Sequence, residues 1–442
     1  MEALIPSFLP VTRIFNYWDR LRTSFWFLPS LMAGIAIIFS FALIELDSLL
    51  SAEMLDKAGW LYSFGPEGAR AILSAIASSM ITVAGLTFSI TMLTLQLASS
   101  QFGPRLLRNF MGDRGNQVVL GTFVSTFLYC LLVLRTVRGT EGSSFVPHVS
   151  VAFGVLLAVA SIAVLIYFIH HVANAIRIES LLESLAVEAR ATVDRLYPEP
   201  FGRSKPGDEP RECELPEKMS AKSRVCSGAS GYVQHIDLGA LMEIAIKNEF
   251  VISIAARPGS FITEADAIFY IQSSEDGVYD DATDLLRNTF VVGKERTPEQ
   301  DLQFSIRRIV EIAQRALSPG INDPTTALYC IDRLGEVFRR LAKREMPSPF
   351  RYDETRRLRI VTDAFSFDDL ACPAFAAVAR YGRSDADVMA HLIRTMSEIG
   401  GAAQPGQCKE FLAVAENLAL QAKREIFLEF DRRLAEQAPV RS

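Results

Sequence analysis

The chain has 442 residues, of which 50% are hydrophobic, and its 45 basic and 51 acidic residues give a net charge of −6. That charge is modest, and no basic stripe with interleaved aromatic residues occurs, so nucleic-acid binding is not expected. The long uncharged runs all lie within roughly the first 170 residues, and the remainder has the charge density of a soluble protein. The sequence therefore predicts a membrane part followed by one or two compact domains.

Four segments are apolar for long enough to cross a hydrocarbon core about 30 Å thick, which takes roughly 20 residues. They cover about residues 25–46, 72–100, 116–135 and 149–170. We therefore expect residues 1–172 to form an α-helical polytopic domain in a lipid bilayer. The connection after the first span is acidic, whereas arginines precede the first span and follow the second, so both termini are expected to be cytosolic.

The second span is the most informative, because no charged residue occurs between Arg70 and Arg105. A helix of that length would be about 50 Å long and would exceed the hydrocarbon core. A line of small and polar residues runs along it at helical spacing, so we expect it to be the central helix, inside the protomer or at an oligomer axis. The members of this stripe are Ser78, Thr82, Gly85, Ser89, Gln96 and Ser100.

Two interpretations of the stripe stay open. Small residues let helices approach closely, and serine and threonine bond back to their own helix, so the stripe is typical of packing. Hydroxyl and amide groups also line pores, where they replace the hydration of an ion. Gln96 adds weight to the pore, because an amide within a membrane needs a partner.

Three arginines follow the second span: Arg105, Arg108 and Arg114. Their helical spacing with apolar residues indicates either an interfacial helix that contacts lipid phosphates or the rim of a cytosolic vestibule that sets ion preference.

The C-terminal part is predicted to be a mixed α+β cytosolic domain. Residues 173–224 should form a membrane-exit helix and an exposed linker, and residues 225–275 a small β module. The strand pattern of that module resembles small barrels of the biotinyl/lipoyl type, but it has no evident lysine at a hairpin tip, so a structural role is expected. Residues 276–442 should be mainly helical.

A helix–loop–helix elbow is predicted around Asn322 and Asp323, because Asp323 precedes a proline at the start of a helix. The alternative is a site for an ion, a ligand or a neighbouring subunit at that helix N-terminus. The candidate residues for such a site are Arg315, Asn322, Asp323, Thr325 and Asp301.

No motif for catalysis, a cofactor or a metal is recognisable, so we expect that the chain is not an enzyme. The six cysteines form no closely spaced pair and are expected to be reduced, structural thiols.

Several strings resemble a known family. They are Thr82–Ile90, Leu95–Phe102, Pro104–Arg108, Gly293–Thr297 with Gln300 and Asp301, and Arg315–Ala327. These strings are similar to those of the predicted membrane proteins called the domain of unknown function 2254 family. The resemblance implies a bacterial multi-pass protein of the inner membrane, and it supplies no activity.

The leading hypothesis for function is a homo-oligomeric ion channel or pore, with the second span along the path and the cytosolic part assembling or gating it. The alternative is a membrane-anchored sensor or scaffold that binds a ligand or partner through the cytosolic part. An enzyme and a secondary transporter are weaker hypotheses, since no nucleophile–base pair and no inverted repeat are visible.

Overall fold

The computed structural model describes residues 26–49, 65–102, 113–140, 143–175, 177–197, 221–273, 280–404 and 406–425. The chain divides into two compact units, one up to Arg177 and one from Ile178 onward. They are called the membrane unit and the C-terminal unit.

The membrane unit contains four helices long and apolar enough to cross a bilayer, as predicted. They are α1 (Phe27–Leu49), α2 (Pro66–Phe102), α3 (Arg114–Thr136) and α4 (His148–Ala175), with a short hairpin of β1 (Arg138–Thr140) and β2 (Ser143–Phe145) between α3 and α4. The three later predicted spans lie within these helices, and α2 begins six residues before the predicted start at residue 72. The first predicted span, about 25–46, overlaps α1 from Phe27 onward.

Side-chain contacts at the helix ends show that the four helices alternate in direction. At one end, Asp47 near the end of α1 bonds to Ser150 in the first turn of α4. Arg70 near the start of α2 donates to the carbonyl of Val137, just after α3, at the same end. At the opposite end, Asp113 before α3 contacts His171 near the end of α4. The result is an up-down bundle.

The centre of this bundle is α3, which packs against α1, α2 and α4. Of its most apolar stretch 44% is buried, against 28% for α2. Two apolar clusters surround it, one with Tyr129 and Val133 of α3 and one with Val119 and Phe123. Within one protomer, therefore, the expectation that the second span is central is wrong, because length and polarity do not reveal which helix has the most neighbours.

The C-terminal unit begins with α5 (Ile178–Leu196), which packs on two later helices. Ten elements of mixed type follow in chain order. They are β3 (Ala221–Cys226), β4 (Gly231–Ile236), α6 (Leu238–Lys247), β5 (Val251–Ile254), β6 (Phe261–Ile262), β7 (Ala267–Ser273), α7 (Asp280–Asn288), β8 (Phe290–Gly293), α8 (Leu302–Ala316) and α9 (Pro324–Ala342).

The unit ends with a hairpin and three helices that belong to its core. They are β9 (Phe350–Tyr352), β10 (Leu358–Val361), α10 (Phe367–Gly382), α11 (Ala386–Ala402) and α12 (Lys409–Glu425). Four aromatic rings from α9, α10 and α12 contact one another edge to face, namely Phe338, Phe367, Phe375 and Phe411. The predicted mixed α+β class is therefore confirmed.

The barrel-like description of residues 225–275 is wrong, because the strands form two open sheets. One has the order β3-β7-β5-β10-β9 and the other the order β6-β4-β8. β8 and β10 lie beyond residue 275, and β10 pairs with β5 in parallel while the other strand pairs are antiparallel. The alternation of apolar residues identified strands, but it carries no information about the distant partner of an apolar strand such as β10.

Candidate functional site

One face of α2 packs into the bundle. Its buried residues include Leu73, Met80 and Ala84, which contact the apolar clusters around α3. Thr87 and Thr94 lie on this same inner face and are 2% and 8% exposed. The inner face thus changes from apolar to hydroxyl-bearing toward the end of α2.

The predicted stripe lies on the opposite face of α2. Ser78, Thr82, Gly85, Ser89 and Gln96 are all exposed on the surface of the single protomer. A side-chain carbon added at Gly85 would meet no atom within 4 Å. The side chain of Ser100 lies outside the described residues. The structure therefore brings five of the six stripe residues to one outward face.

Large apolar side chains border this outward face on both sides. Ile81 and Phe88 lie on one flank and Leu86 and Leu93 on the other, and all four are exposed. The polar stripe is consequently a narrow strip within an otherwise apolar surface, which suits either a bilayer or a neighbouring protein chain.

The hydroxyl groups of the stripe are bonded within α2 itself. Thr82 donates to the carbonyl of Ser78 at 2.8 Å, and Ser89 donates to that of Gly85 at 2.9 Å. Each hydroxyl proton is thereby used, while the oxygen keeps lone pairs that can still accept a hydrogen bond or contact a cation. These groups therefore carry little cost in an apolar medium and remain available as ligands.

Gln96 differs from the hydroxyl residues, because its exposed amide has no hydrogen-bond partner among the residues that the structure describes. The Arg70–Val137 bond places these two residues at the same level, and α3 begins 23 residues before Val137. The start of α3 is therefore level with residue 93, and α2 continues for nine more residues, or about 14 Å. Gln96 lies on this extension, near the end of the bundle where Asp113 and His171 meet.

Of the three predicted vestibule arginines, only Arg114 lies within the described residues; Arg105 and Arg108 lie outside them. Arg114 is the first residue of α3 and is exposed. The preceding Asp113 caps α3 by accepting from the amide of Gly115, and its other oxygen lies 2.5 Å from Nε2 of His171. Because a side chain at Gly115 would clash with His171, the close approach of α3 and α4 depends on that glycine.

A buried polar contact that the sequence did not predict lies at the other end of the bundle. Both carboxylate oxygens of Asp47 accept hydrogen bonds at the N-terminus of α4, from the amides of Val149 and Ser150 and from the Ser150 hydroxyl. In the sequence, Asp47 is only one of several acidic residues in the connection after the first span. A lone aspartate at the end of an apolar span is the one signal that could have marked it as a helix cap.

In the C-terminal unit, the predicted elbow lies between α8 and α9. Asn322 adopts a left-handed backbone with φ of 49°, and its backbone N–H donates to the carbonyl of Ser318. Asp323 caps α9, accepting from the amide of Thr326 at 3.1 Å and from its hydroxyl at 2.6 Å. The side chains of Asn322 and Thr325 are exposed. Asn322 and Asp323 thus both stabilise the connection between α8 and α9, and the exposed side chains of the elbow remain accessible to a ligand or partner.

Asp301 does not join this elbow. It caps the start of α8, whereas Arg315 lies in the last turn of the same helix, about 20 Å away along the axis. Asp301 is 4% exposed and makes a two-point ion pair with Arg296, with distances of 2.7 and 2.9 Å. A side chain at Gly259, which has φ of 88°, would collide with this pair.

Charge and burial around Asp301 also affect a neighbouring phenol. Burial, assisted by the negative charge of Asp301, raises the pKa of Tyr197 to about 12. The phenol therefore stays protonated at physiological pH and serves packing at the end of α5, where it is 5% exposed.

Within the described part of the chain, no group of three or more histidine, cysteine or acidic residues is placed to hold a metal ion. The cysteines described there are free thiols, whereas Cys213 lies outside the described residues.

The family model described as a predicted membrane protein (DUF2254) matches residues 22–398. The chain is 33% identical over 435 residues to the uncharacterized protein Rv1290c of Mycobacterium tuberculosis and to the uncharacterized protein Mb1321c of Mycobacterium bovis. These matches cover 96% of this chain and 81% of each relative. No solved structure matches the chain. The chain, whose described residues form a four-helix membrane unit and a unit of mixed helices and sheets, therefore belongs to the DUF2254 family of predicted membrane proteins.

Proposed function

We propose that the protein is a homo-oligomeric ion channel or pore in which the outward stripe of α2 lines the path. The observation that supports this is the exposure of five stripe residues on the surface of one protomer, within a helix otherwise apolar enough to span a bilayer. In a monomer the exposed Gln96 amide would face lipid or its headgroups, with no partner among the residues that the structure describes. Around a shared axis the same stripe would meet water and ions.

The chemistry of the stripe suits weak, repeated contacts with an ion. Its hydroxyl oxygens keep free lone pairs, and a conduction path needs sites that bind an ion without holding it. The absence of charge between Arg70 and Arg105 fits a path without a deep electrostatic trap. Arg114, exposed at the end of the bundle, would then lie near the exit and influence which ions approach.

The proposal includes the arrangement expected from the sequence. The protein would lie in the bacterial inner membrane with both termini in the cytosol, and the C-terminal unit would assemble or gate the pore. We attribute no catalytic activity to it. The alternating helices of the membrane unit support an even number of crossings, which returns the chain to its starting side.

Ion flux through reconstituted protein tests the proposal. Purified full-length protein in proteoliposomes is expected to carry a flux of small ions, and Ser89→Leu or Gln96→Leu should remove most of it. Ile166→Leu is the matched control, because Ile166 is exposed on α4, away from the stripe. Absence of flux from the unmodified protein, or full flux from both stripe variants, would overturn the proposal.

Cysteine cross-linking tests the oligomer separately. When membranes are treated with a copper–phenanthroline oxidant, which takes up the two electrons released for each disulfide, Ser89→Cys should form disulfide-linked dimers. Ile38→Cys on the exposed face of α1 should not. If both positions cross-link equally, the stripe is not the interface between copies.

The alternative, a membrane-anchored sensor or scaffold, is favoured by one observation. The elbow presents Ile321, Asn322 and Tyr329 as exposed side chains on a backbone fixed by the Asp323 cap. If that surface binds a ligand or partner, Ile321→Ser should abolish the cellular role of the protein while stripe variants leave it intact. The reverse outcome favours the pore.

A further inference from the structure

The bundle contains a second polar locus, on the inner face of α2 opposite the stripe. Asn116 lies in the first turn of α3 and is only 6% exposed, yet its buried Oδ1 accepts no hydrogen bond from any residue that the structure describes. A buried acceptor without a donor destabilises the fold, because it has lost its hydrogen bonds to water and gained none in return. Such an atom calls for a specific partner.

The position of Asn116 relative to α2 follows from the packing. α2 and α3 are antiparallel and are joined where Arg70 bonds to the carbonyl of Val137. Thr91 follows Arg70 by 21 residues and Asn116 precedes Val137 by 21 residues, so the two lie at the same level. Asn116 precedes Leu120 by one turn, and Leu120 packs in the same cluster as Ile90. Asn116 is therefore level with Thr91, on a side of α3 that packs in the same cluster as α2.

The other groups at this level are also acceptors. The hydroxyls of Thr87, Thr91 and Thr94 donate to carbonyls of their own helix, so their oxygens can only accept further bonds. By the same count Thr94 is level with Asp113, which already accepts from Gly115 and contacts His171. The locus thus gathers oxygen lone pairs, and no donor among the described residues reaches the Asn116 oxygen.

We propose that this inner locus binds a small monovalent cation, with the oxygens of Asn116, Thr91 and Thr94 as ligands and Asp113 as the nearby negative charge. Hard cations take oxygen ligands, and divalent sites usually contain several carboxylates. Asp113 is the only carboxylate at this locus among the described residues and it also pairs with His171. One shared charge and several neutral oxygens match an alkali ion such as sodium.

This inference goes beyond the proposed pore and does not depend on it, because the inner locus and the outward stripe lie on opposite faces of α2. A protein without any conductance could still bind the ion, and a conducting oligomer could lack the site.

Thermal unfolding of the purified full-length protein in sodium chloride and in choline chloride at equal ionic strength tests the inference. We expect the midpoint to rise with sodium, by roughly 2 °C for each tenfold excess over the dissociation constant. Asn116→Leu should abolish this rise, and Thr94→Val, which removes one oxygen at constant shape, should weaken it. Asn116→Asp should strengthen it by adding a charge.

Val118→Leu is the control, since Val118 lies half a turn from Asn116 on the exposed side of α3. Equilibrium dialysis with radioactive sodium on the unmodified protein gives an answer even if Asn116→Leu does not fold. Equal midpoints in sodium and choline together with no retained radioactivity would overturn the proposal, as would an undiminished sodium response in Asn116→Leu.

Discussion

The two units of the chain join their helices through different kinds of side-chain contact. In the membrane unit the charged contacts lie at the helix ends, where Asp47, Arg70 and Asp113 bond to backbone groups or to a histidine. In the C-terminal unit ion pairs run along helices, as between Asp194 of α5 and Arg340 of α9.

The difference follows from the solvent that each unit is built for. Helix ends offer backbone groups without intrahelical partners, so a charge there finds ligands even beside lipid. A half-exposed ion pair in water contributes at most about 1 kcal/mol, so many such pairs are needed to orient α5. One contact at a helix end of the membrane unit should therefore matter more than one pair in the C-terminal unit, unless that pair is buried.

The largest effect is expected at the buried exception in the C-terminal unit. Asp301→Ala leaves Arg296 without its carboxylate partner and α8 without its cap, and should lower the free energy of unfolding by about 3 kcal/mol. Arg307→Ala, at an exposed pair with Glu311 on the same helix, should cost less than about 0.5 kcal/mol. Denaturant unfolding of the full-length chain in detergent measures both, and equal losses would contradict the argument.

A slightly smaller loss is expected at the end of the bundle. Asp47→Ala removes three hydrogen bonds to the N-terminus of α4 and should destabilise the protein by about 2 kcal/mol. Glu45→Ala changes an exposed carboxylate on the same helix and should have almost no effect. Thermal unfolding in detergent checks the pair, and the comparison of the two units fails if the variants behave alike.

Two substitutions of Asn322 distinguish the backbone conformation of the elbow from the chemistry of the side chain. Asn322→Ala should cost about 1 kcal/mol, because alanine tolerates the left-handed backbone poorly, whereas Asn322→Gly should cost nothing. Stability curves of both variants test the backbone. A loss of cellular function in the stable Asn322→Gly variant would show that a ligand or partner recognises the side-chain amide of Asn322.

The smallest effect is expected at Asp353, whose contribution to stability depends on pH in the acid range. Hydrogen bonds from the Thr355 hydroxyl, the Arg357 amide and the Arg359 guanidinium hold the pKa of Asp353 well below its usual range. The carboxylate therefore contributes stability that is fully present above about pH 4, its ordinary pKa, and is lost as the pH falls toward its folded value. The unfolding midpoint of the unmodified protein should fall between about pH 5 and pH 2, and Asp353→Asn should reduce that fall because its side chain does not titrate. An unchanged slope would contradict it.

The sequence was sufficient for features that depend on local pattern. Span length located all four membrane helices, and the proline after Asp323 located the start of α9. Helical spacing alone also put Ser78, Thr82 and Ser89 on one side of α2, but it did not show that this side is exposed on the protomer.

Features that depend on distant partners could not be predicted. Asp47 bonds to residues more than 100 positions away, and Ile360 of β10 pairs with Ile252 of β5. Asn116 appeared ordinary in the sequence, because only packing reveals that its oxygen is buried with no donor in the described part of the chain. Long-range pairing of this kind is decided by the whole fold and leaves no local trace.

The extra length of α2 has a mechanical consequence. The helix is anchored near its start by Arg70 and continues for about 48 Å to Phe102, well past the beginning of α3. Up to the level at which α3 begins, α2 packs in the bundle, so only its last stretch of about 14 Å is free of α3. A turn of about 10° in that stretch moves its tip by about 2 Å.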